Sequence, residues 1–432
     1  MTPRDVKATG GETGRVPASR AGMSPADISQ ERGADPGRLG LVLLLGALVA
    51  IGPLTSDMYL PAFPAMGRDL EASASGIQLT LAGALVGLAL GQLLVGPLSD
   101  AVGRRKPLLT GIGLHIAASL GCAVAPNLVA LDVLRVIQGL GCATSTVITM
   151  AVVRDLYQGD EAAVVLSRLM LVLGVSPILA PTLGGVVLTQ MSWRGIFVVL
   201  AAVSVLIAVI TAAVLPETLP DGRRRRGGAG GTLRDFALLL RDRVFLAYIL
   251  VAGLAMCAIF GFVAGSPYVF QDHFGMSEQT FSYVFGAGSV CVVIGTQLNA
   301  RLLRTRASLY ILRRAMVAAA VFSVLLLAAG VTGQGGLWAV LLPLWGTLAA
   351  TGFVMPNALA LALSRHGEFA GTAAALLGAF QFGIGAVAAP LVGVIGTGTT
   401  AMASVIAGGL LLAVITLFAA TRTPAAAHAE KS

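Results

Sequence analysis

Twelve separate stretches of this chain stay apolar for about the 20 residues that a helix needs to cross a bilayer. They are Leu39–Leu60, Ile77–Leu98, Pro107–Val124, Leu128–Val153, Val164–Leu188, Gly195–Leu215, Val244–Val269, Phe281–Leu303, Ala315–Val331, Leu337–Leu363, Phe369–Ile395 and Thr400–Ala420. Hydrocarbon does not tolerate unpaired backbone groups, so each stretch is expected to be a helix bonded to itself from end to end. Composition agrees. Charged residues make up 12% of the chain and hydrophobic ones 56%, where a soluble domain carries about 25% charged. The expected class is an all-α integral membrane protein.

The 432 residues carry a net charge of +8, and the placement of the bases matters more than their number. With the N-terminus inside, every Lys and Arg except Arg68, Arg135 and Arg194 falls on an inside segment. This is the positive-inside pattern, and it puts both termini on the cytoplasmic side. The basic balance is therefore a topology signal. The aromatic residues interleaved with bases that a nucleic-acid groove uses are missing, so no nucleic-acid partner is expected. Residues 1–38 are polar and lack the apolar core and cleavage site of a signal peptide; they read as a disordered tail.

Cys122, Cys142, Cys257 and Cys291 lie in apolar spans without CxxC spacing, which points to packing rather than to metal or disulfides. The histidines are scattered, and no nucleophile–base motif or GK[ST] loop occurs. Enzyme chemistry, metal, cofactor and ATP drive are not expected.

The polar stretch Pro216–Arg243, with its run Arg223–Arg226, splits the spans six and six. It reads as a solvated linker favouring an anionic leaflet. The domains are then a tail (1–38), a six-helix bundle (39–215), the linker (216–243), a second bundle (244–420) and a tail (421–432). The halves echo each other. Ala180–Gly184 and Ala389–Gly393 both read A-P-x-x-G, and the pair Gly96/Asp100 matches Gly295/Asn299, each followed by bases. Two pseudo-symmetric bundles with a site between them at mid-membrane is a transporter architecture.

Four stretches carry chemistry. GPLSDAVGRRKPLL, Gly96–Leu109, is a tight inside turn in which Asp100 can meet a cation or a helix N-terminus. Such a contact can form in one rocking state and break in the other. Arg135 lies well inside the fourth span, where a charge costs about 2.5 kcal/mol or more. It should turn inward to an acid or a substrate, or else snorkel to the outer surface. Asp57 ends the first span; it is either a proton site or an acid capping an outer loop. Burial and a nearby base pull on the proton affinity of such an acid in opposite directions. In the fifth span Pro177 and Pro181 bend the helix, and Gly174, Gly184 and Gly185 allow close packing. Tyr59, Gln92, Gln138, Asn357 and Gln381 are polar positions that either line a cavity or bond helix to helix. Gly83, Gly87 and Gly91 form a packing stripe, and His115 reads as a packing residue.

These stretches resemble known motifs. Gly96, Asp100, Gly103, Arg104 and Arg105 are similar to the loop motif G-x-L-x-D-R-x-G-R-K/R of the major facilitator superfamily, with Ala101 where that motif often has Arg. The resemblance implies that Asp100 and Arg104 latch the two halves at the cytoplasmic side, with Asp155 as a local partner. Arg135, Gln138 and Gly139 resemble the R-x-x-Q-G motif tied to proton handling. Gly174, Pro177, Pro181, Gly184 and Gly185 partly match the antiporter motif G-x-x-x-G-P-x-x-G-G. TSDMYLPAFPAM, SPYVFQDHFGMSEQTFSYVFG, MPNALALAL and GTAAALLGAFQFGIGA resemble the bicyclomycin and chloramphenicol resistance (Bcr/CflA) branch of twelve-span drug:proton antiporters. The resemblance implies an exporter of small amphiphilic drugs in a bacterial inner membrane, and a monomer is expected. The proton gradient would be its energy source, and Asp57 and Arg135 its coupling residues. An exporter of an endogenous metabolite on the same fold is the alternative. With one embedded acid and one embedded base offsetting each other, the expected drug is neutral or zwitterionic.

Overall fold

Polar side chains punctuate the chain where helices begin. Ser73 Oγ accepts from Gly76 N–H at 3.2 Å, Asn127 Oδ1 from Ala130 N–H at 2.9 Å, and Ser277 Oγ from Thr280 N–H at 3.2 Å. Asp242 Oδ1 accepts from Val244 N–H at 2.8 Å and so divides two helices that would otherwise run together. These are N-caps, satisfying backbone donors that a helix start leaves free.

The computed structural model describes residues 36–224, 229–364 and 370–421, and every regular element among them is helical. The first half holds α1 (Pro36–Asp57), a 3-10 turn (Leu60–Ala62), α2 (Phe63–Asp69), α3 (Ala74–Val102), α4 (Arg105–Ala123), α5 (Leu128–Leu156), α6 (Gly159–Leu188) and α7 (Trp193–Val214). After α8 (Ala229–Arg241), the second half holds α9 (Arg243–Pro267) with a π-helical turn (Tyr268–His273), α10 (Glu278–Leu302), α11 (Ser308–Thr332), α12 (Gly336–Leu363), α13 (Ala370–Ile395) and α14 (Thr399–Thr421).

Each of the twelve expected spans coincides with a long helix. Among the described residues, eleven of these helices are long and apolar enough to cross a membrane, and α4 falls short. Lys106 and His115 lower its apolarity, and it is wedged against α5 and α7. The linker is not structureless: it contains a 3-10 turn (Asp221–Arg223) and α8, which packs on α9 and α13 and buries Leu239. The expected N-terminal tail up to residue 35, residues 225–228 of the arginine- and glycine-rich run, Arg365 and the tail beyond 421 lie outside the described residues. Residues 36–43 carry the first turns of α1; Leu44–Ser432 form one compact unit.

Within that unit the first half packs α3 on α5, and α4 on both α5 and α7. The second half packs α9 on α13 and α14, α11 on α12 and α14, and α10 on α12. Two seams join the halves, α3 on α13 and α6 on α10. Each seam pairs the second span of one half with the fifth of the other, as a pseudo-twofold axis requires. Glycine allows these close approaches. A Cβ on Gly139 would collide with the Ala84 carbonyl, and one on Gly87 with the Val136 carbonyl, so α3 and α5 touch backbone to backbone. Large apolar side chains such as Leu94, Val209 and Ile415 remain exposed on the outside, as a surface solvated by lipid demands. Arg104–Lys106, Arg154, Arg243 and Arg301–Arg314 share one end of the helices, called here the basic end; Arg68 and Arg194 lie at the far end.

Candidate functional site

Arg135 is the largest fully buried side chain among the described residues. A guanidinium cannot shed its charge, so its neighbours must solvate it. Nε donates to the Thr80 carbonyl at 3.2 Å, and Nη1 and Nη2 both donate to the Thr55 carbonyl at 3.2 Å. Nη1 also donates to Gln138 Oε1 at 2.5 Å. The Tyr59 ring lies 4.2 Å beneath the guanidinium carbon and the Phe197 ring 5.7 Å away, a cation–π arrangement. Five elements converge here: α1, the residues just after it, α3, α5 and, through Phe197, α7.

A second shell fixes these partners. Gln138 Nε2 donates to Ser119 Oγ at 2.7 Å. The Thr55 hydroxyl donates to the Ile51 carbonyl at 2.7 Å, so the 2.9 Å contact with His115 Nε2 makes that nitrogen the donor. Nδ1 is then the acceptor from Ser204 Oγ at 3.0 Å. His115 is therefore bonded at both nitrogens, and it ties α1, α4 and α7 together.

Asp57 is 7% exposed, and its Oδ1 accepts from Ser56 Oγ at 2.7 Å. Among the described residues no ion pair joins it to Arg135. The acid near Arg135 is Asp132, three residues earlier on α5 and within reach of its charge. Asp132 Oδ1 is buried with no hydrogen-bond partner among the described residues. The count of one embedded acid and one base is thus corrected: Asp132 lies inside the fourth span, and its sequence position alone could have shown it.

At the basic end Arg104, 6% exposed, donates through Nη1 to Asp100 Oδ1 at 2.5 Å and to Ser99 Oγ at 2.7 Å, and through Nε to Asp155 Oδ2 at 2.9 Å. Thr218 Oγ1 also donates to Asp155 Oδ2, at 3.2 Å. The carboxylate on the helix N-terminus is Glu217, not Asp100. It accepts from the backbone N–H groups of Arg104 at 2.8 Å, Leu219 at 3.0 Å and Arg105 at 3.2 Å. Partial burial opposes its ionisation, but these three donors and Arg224 prevail and hold the carboxyl below its usual value. Arg105 Nη2 donates to the Ala212 carbonyl at 2.5 Å. Gly103 adopts φ +97°, where a side chain is strained, and a Cβ would stand 2.5 Å from Glu217 Oε2. Nothing lies within 4 Å of a Cβ on Gly96. None of these partners comes from the second half; the cluster bolts α3, α4, α5 and α7 to the start of the linker.

The expected cavity residues divide. Tyr59, Gln138 and Asn357 have no exposed surface. The first two serve Arg135, and Asn357 Nδ2 donates to Asn299 Oδ1 of α10 at 2.6 Å and to the Phe353 carbonyl at 2.7 Å. Gln92 and Gln381 are half-buried, and Gln92 lies on the seam, 3.0 Å from where a Cβ on Gly378 of α13 would sit. A shallow open depression on the exposed face of α6 is lined by Ala163, Val164, Ser167, Arg168 and Leu171, none of them among the expected residues. Pro177 and Pro181 sit inside an unbroken α6. A Cβ on Gly184 would collide with the Met58 carbonyl, and Cβ atoms on Gly174 and Gly185 would stand 3.2 Å from Val293 and Ser282 of α10. Ser282 Oγ donates to the Pro181 carbonyl at 3.0 Å. The motif thus builds the α6–α10 seam. Among the described residues no group of three or more His, Cys, Asp or Glu converges as a metal site would.

Residues 43–390 match the family described as Major Facilitator Superfamily. The chain is 37% identical over 387 residues to the uncharacterized MFS-type transporter YdgK of Bacillus subtilis (strain 168), covering 89% of this chain and 96% of that protein. It is 33% identical to a chloramphenicol resistance protein of Pseudomonas aeruginosa, covering 82% of each. Identity to a bicyclomycin resistance protein homolog of Haemophilus influenzae is 29%, over 81% of this chain and 88% of that one. The fold matches a bacterial homolog of the human lysosomal transporter Spinster, solved inward-facing and occupied, with a TM-score of 0.70 at 15% identity over 90% of this chain and 98% of that one. With its two pseudo-symmetric six-helix halves, the chain belongs to the Major Facilitator Superfamily, in the branch of the bicyclomycin and chloramphenicol resistance proteins.

Proposed function

We propose that the protein is a proton-coupled exporter of small amphiphilic drugs, phenicol- or bicyclomycin-like, working as a monomer by alternating access in a bacterial inner membrane. Its bundles are 39–215 and 244–420, joined by the cytoplasmic linker 216–243 and flanked by cytoplasmic tails 1–38 and 421–432. The reading is carried by the relatives named for chloramphenicol and bicyclomycin resistance, matched along most of their length. The seams support it, because each is small-residue packing along which one half can rock on the other.

Asp57 is the proposed proton carrier. An anion at this depth is costly, and Asp57 has one hydrogen bond and no counter-ion among the described residues. Binding a proton on one side and releasing it on the other is therefore chemistry it can perform. Arg135 keeps a fixed positive charge nearby, solvated by carbonyls rather than neutralised. In the cycle, protonation of Asp57 from outside releases the drug, and loss of the proton inside resets the site. With Asp132 counted, two embedded acids face one base, so the premise for a strictly neutral drug is gone.

The test is proton movement in sealed vesicles on adding a phenicol and then a lipophilic cation, with Asp57→Asn beside the parent. Drug-dependent flux that disappears in Asp57→Asn supports the reading. Flux that survives moves the proton to another acid, Asp132 first. Flux with neither drug returns the site to a metabolite exporter.

A further inference from the structure

Pro267 ends α9 and has no N–H to donate. The next donor, Tyr268 N–H, bonds to the Gly265 carbonyl rather than to Ala264, its partner in a regular helix. The Ala264 carbonyl takes its hydrogen bond from the other half: Gln78 Nε2 of α3 donates to it at 2.9 Å. Gln78 has no exposed surface, and its Oε1 is buried without a partner among the described residues. The amide is also slotted against α13. A Cβ on Gly393 would overlap Gln78 Oε1 and would stand 2.7 Å from the Ser75 backbone. Gly393 closes the second A-P-x-x-G motif. One side chain thus touches α3, α9 and α13 at the far end. Close by, Gln271 Nε2 donates to the Pro61 carbonyl at 3.1 Å, and the Phe63 and Tyr268 ring centres are 6.1 Å apart; both contacts again cross between halves.

We propose that Gln78 is the positioning residue that holds the two halves shut at the far end, by giving the Ala264 carbonyl the donor that Tyr268 N–H, turned to Gly265, no longer supplies. When the far end opens, water takes over at both atoms. The bond therefore biases the equilibrium without locking it. The inference rests on the alternating-access reading but not on drug or proton.

The test uses the full chain, purified, with Ser266→Cys as reporter. Ser266 lies on α9, fully buried, with an unpartnered hydroxyl among the described residues. Maleimide labelling is compared with the parent carrying the native cysteines alone. Gln78→Leu is expected to label about fivefold faster or more at every pH, the equivalent of one lost hydrogen bond. Gln78→Glu is expected to label equally fast at about pH 8, where a carboxylate has no proton to give, and to slow toward the parent at about pH 5, where exclusion from water keeps the carboxyl protonated and able to donate. The charged and titratable groups on elements packed nearby are Arg68 and Asp69 of α2, Asp132 and Arg135 of α5, and Asp272 and His273 of the π turn; the parent measured at each pH contains them all. A Gln78→Leu chain labelled at the parent rate overturns the proposal. So does a Gln78→Glu chain labelled faster than the parent equally at both pH values. Misfolding of Gln78→Leu leaves the Gln78→Glu arm decisive, because recovery at low pH requires a folded chain. No drug or gradient is present, so this result and the vesicle flux fail separately.

Discussion

Two buried arginines in the first half are held in opposite ways. Arg104, at the basic end, is gripped by the carboxylates of Asp100 and Asp155. Arg135, deep in the bundle, is held by two backbone carbonyls, an amide oxygen and an aromatic face. Near water a counter-ion fixes a base cheaply, and the pair acts as a bolt. At depth, a base bonded only to neutral dipoles keeps an unspent charge that can answer a proton arriving on a nearby acid. The first arrangement suits fastening, the second suits coupling.

The comparison breaks most readily at Arg135. Arg135→Leu leaves the Thr55 carbonyl and the Gln138 amide oxygen without their donor, while the Thr80 carbonyl keeps its place in the α3 ladder. At about 1–3 kcal/mol for each stranded group, a loss of about 4 kcal/mol in detergent thermal unfolding is expected, together with drug-dependent proton flux. Arg135→Lys keeps the charge but loses the fork that spans both carbonyls; full stability in that variant would show that the dipoles are not what holds the side chain.

Next comes Arg104→Ala. It strands Asp155, whose side chain is 14% exposed, and Asp100, at 39%. Water rescues the latter, so about 2 kcal/mol is expected, below the 3–5 kcal/mol of a fully buried broken pair. The same unfolding assay measures it.

Glu217→Gln sharpens the contrast through pH. The folded carboxyl titrates below its usual value, so its stabilisation is fully present above the unfolded value of about 4.3 and fades as pH falls through the folded one. The parent should exceed the variant by about 1 kcal/mol at neutral pH. That difference should shrink as pH falls below about 4.3; a difference that grew on acidification would reverse the sign argued here.

The last comparison separates two glycines of one motif, and its smallest effect is at Gly96. Gly103→Ala is strained by its φ of +97° and crowded by Glu217, and should cost about 1–2 kcal/mol. Gly96→Ala, with open space around it, should stay within about 0.5 kcal/mol.

The fold was legible because apolar length is written residue by residue, and the linker between two sets of six spans is a break in that same signal. The acids that hold Arg104, Asp100 and Asp155, were legible for a similar reason, being charges beside helix ends; the expected contact across the halves is not what they make here. Other features were not. Glu217 caps a helix start more than a hundred residues earlier in the chain, and no local pattern announces that. The acceptors around Arg135 include the main-chain oxygens of Thr55 and Thr80, which every residue possesses and which only packing selects. Tyr59, Gln138 and Asn357 illustrate the limit of polarity as a guide. A polar residue in an apolar span is as well used between helices as along a cavity, and here these three have no exposed surface.

The modest apolarity of α4 bears on how the protein is made. A segment with Lys106 at its start and His115 at its middle gains less than its neighbours from leaving water for lipid. His115 becomes comfortable only once Thr55 and Ser204 are beside it, and Ser204 belongs to α7, synthesised later. During biosynthesis α4 is therefore expected to linger at the insertion machinery, entering the bilayer alongside the greasier α5. Its place in the bundle would be settled only when α7 arrives.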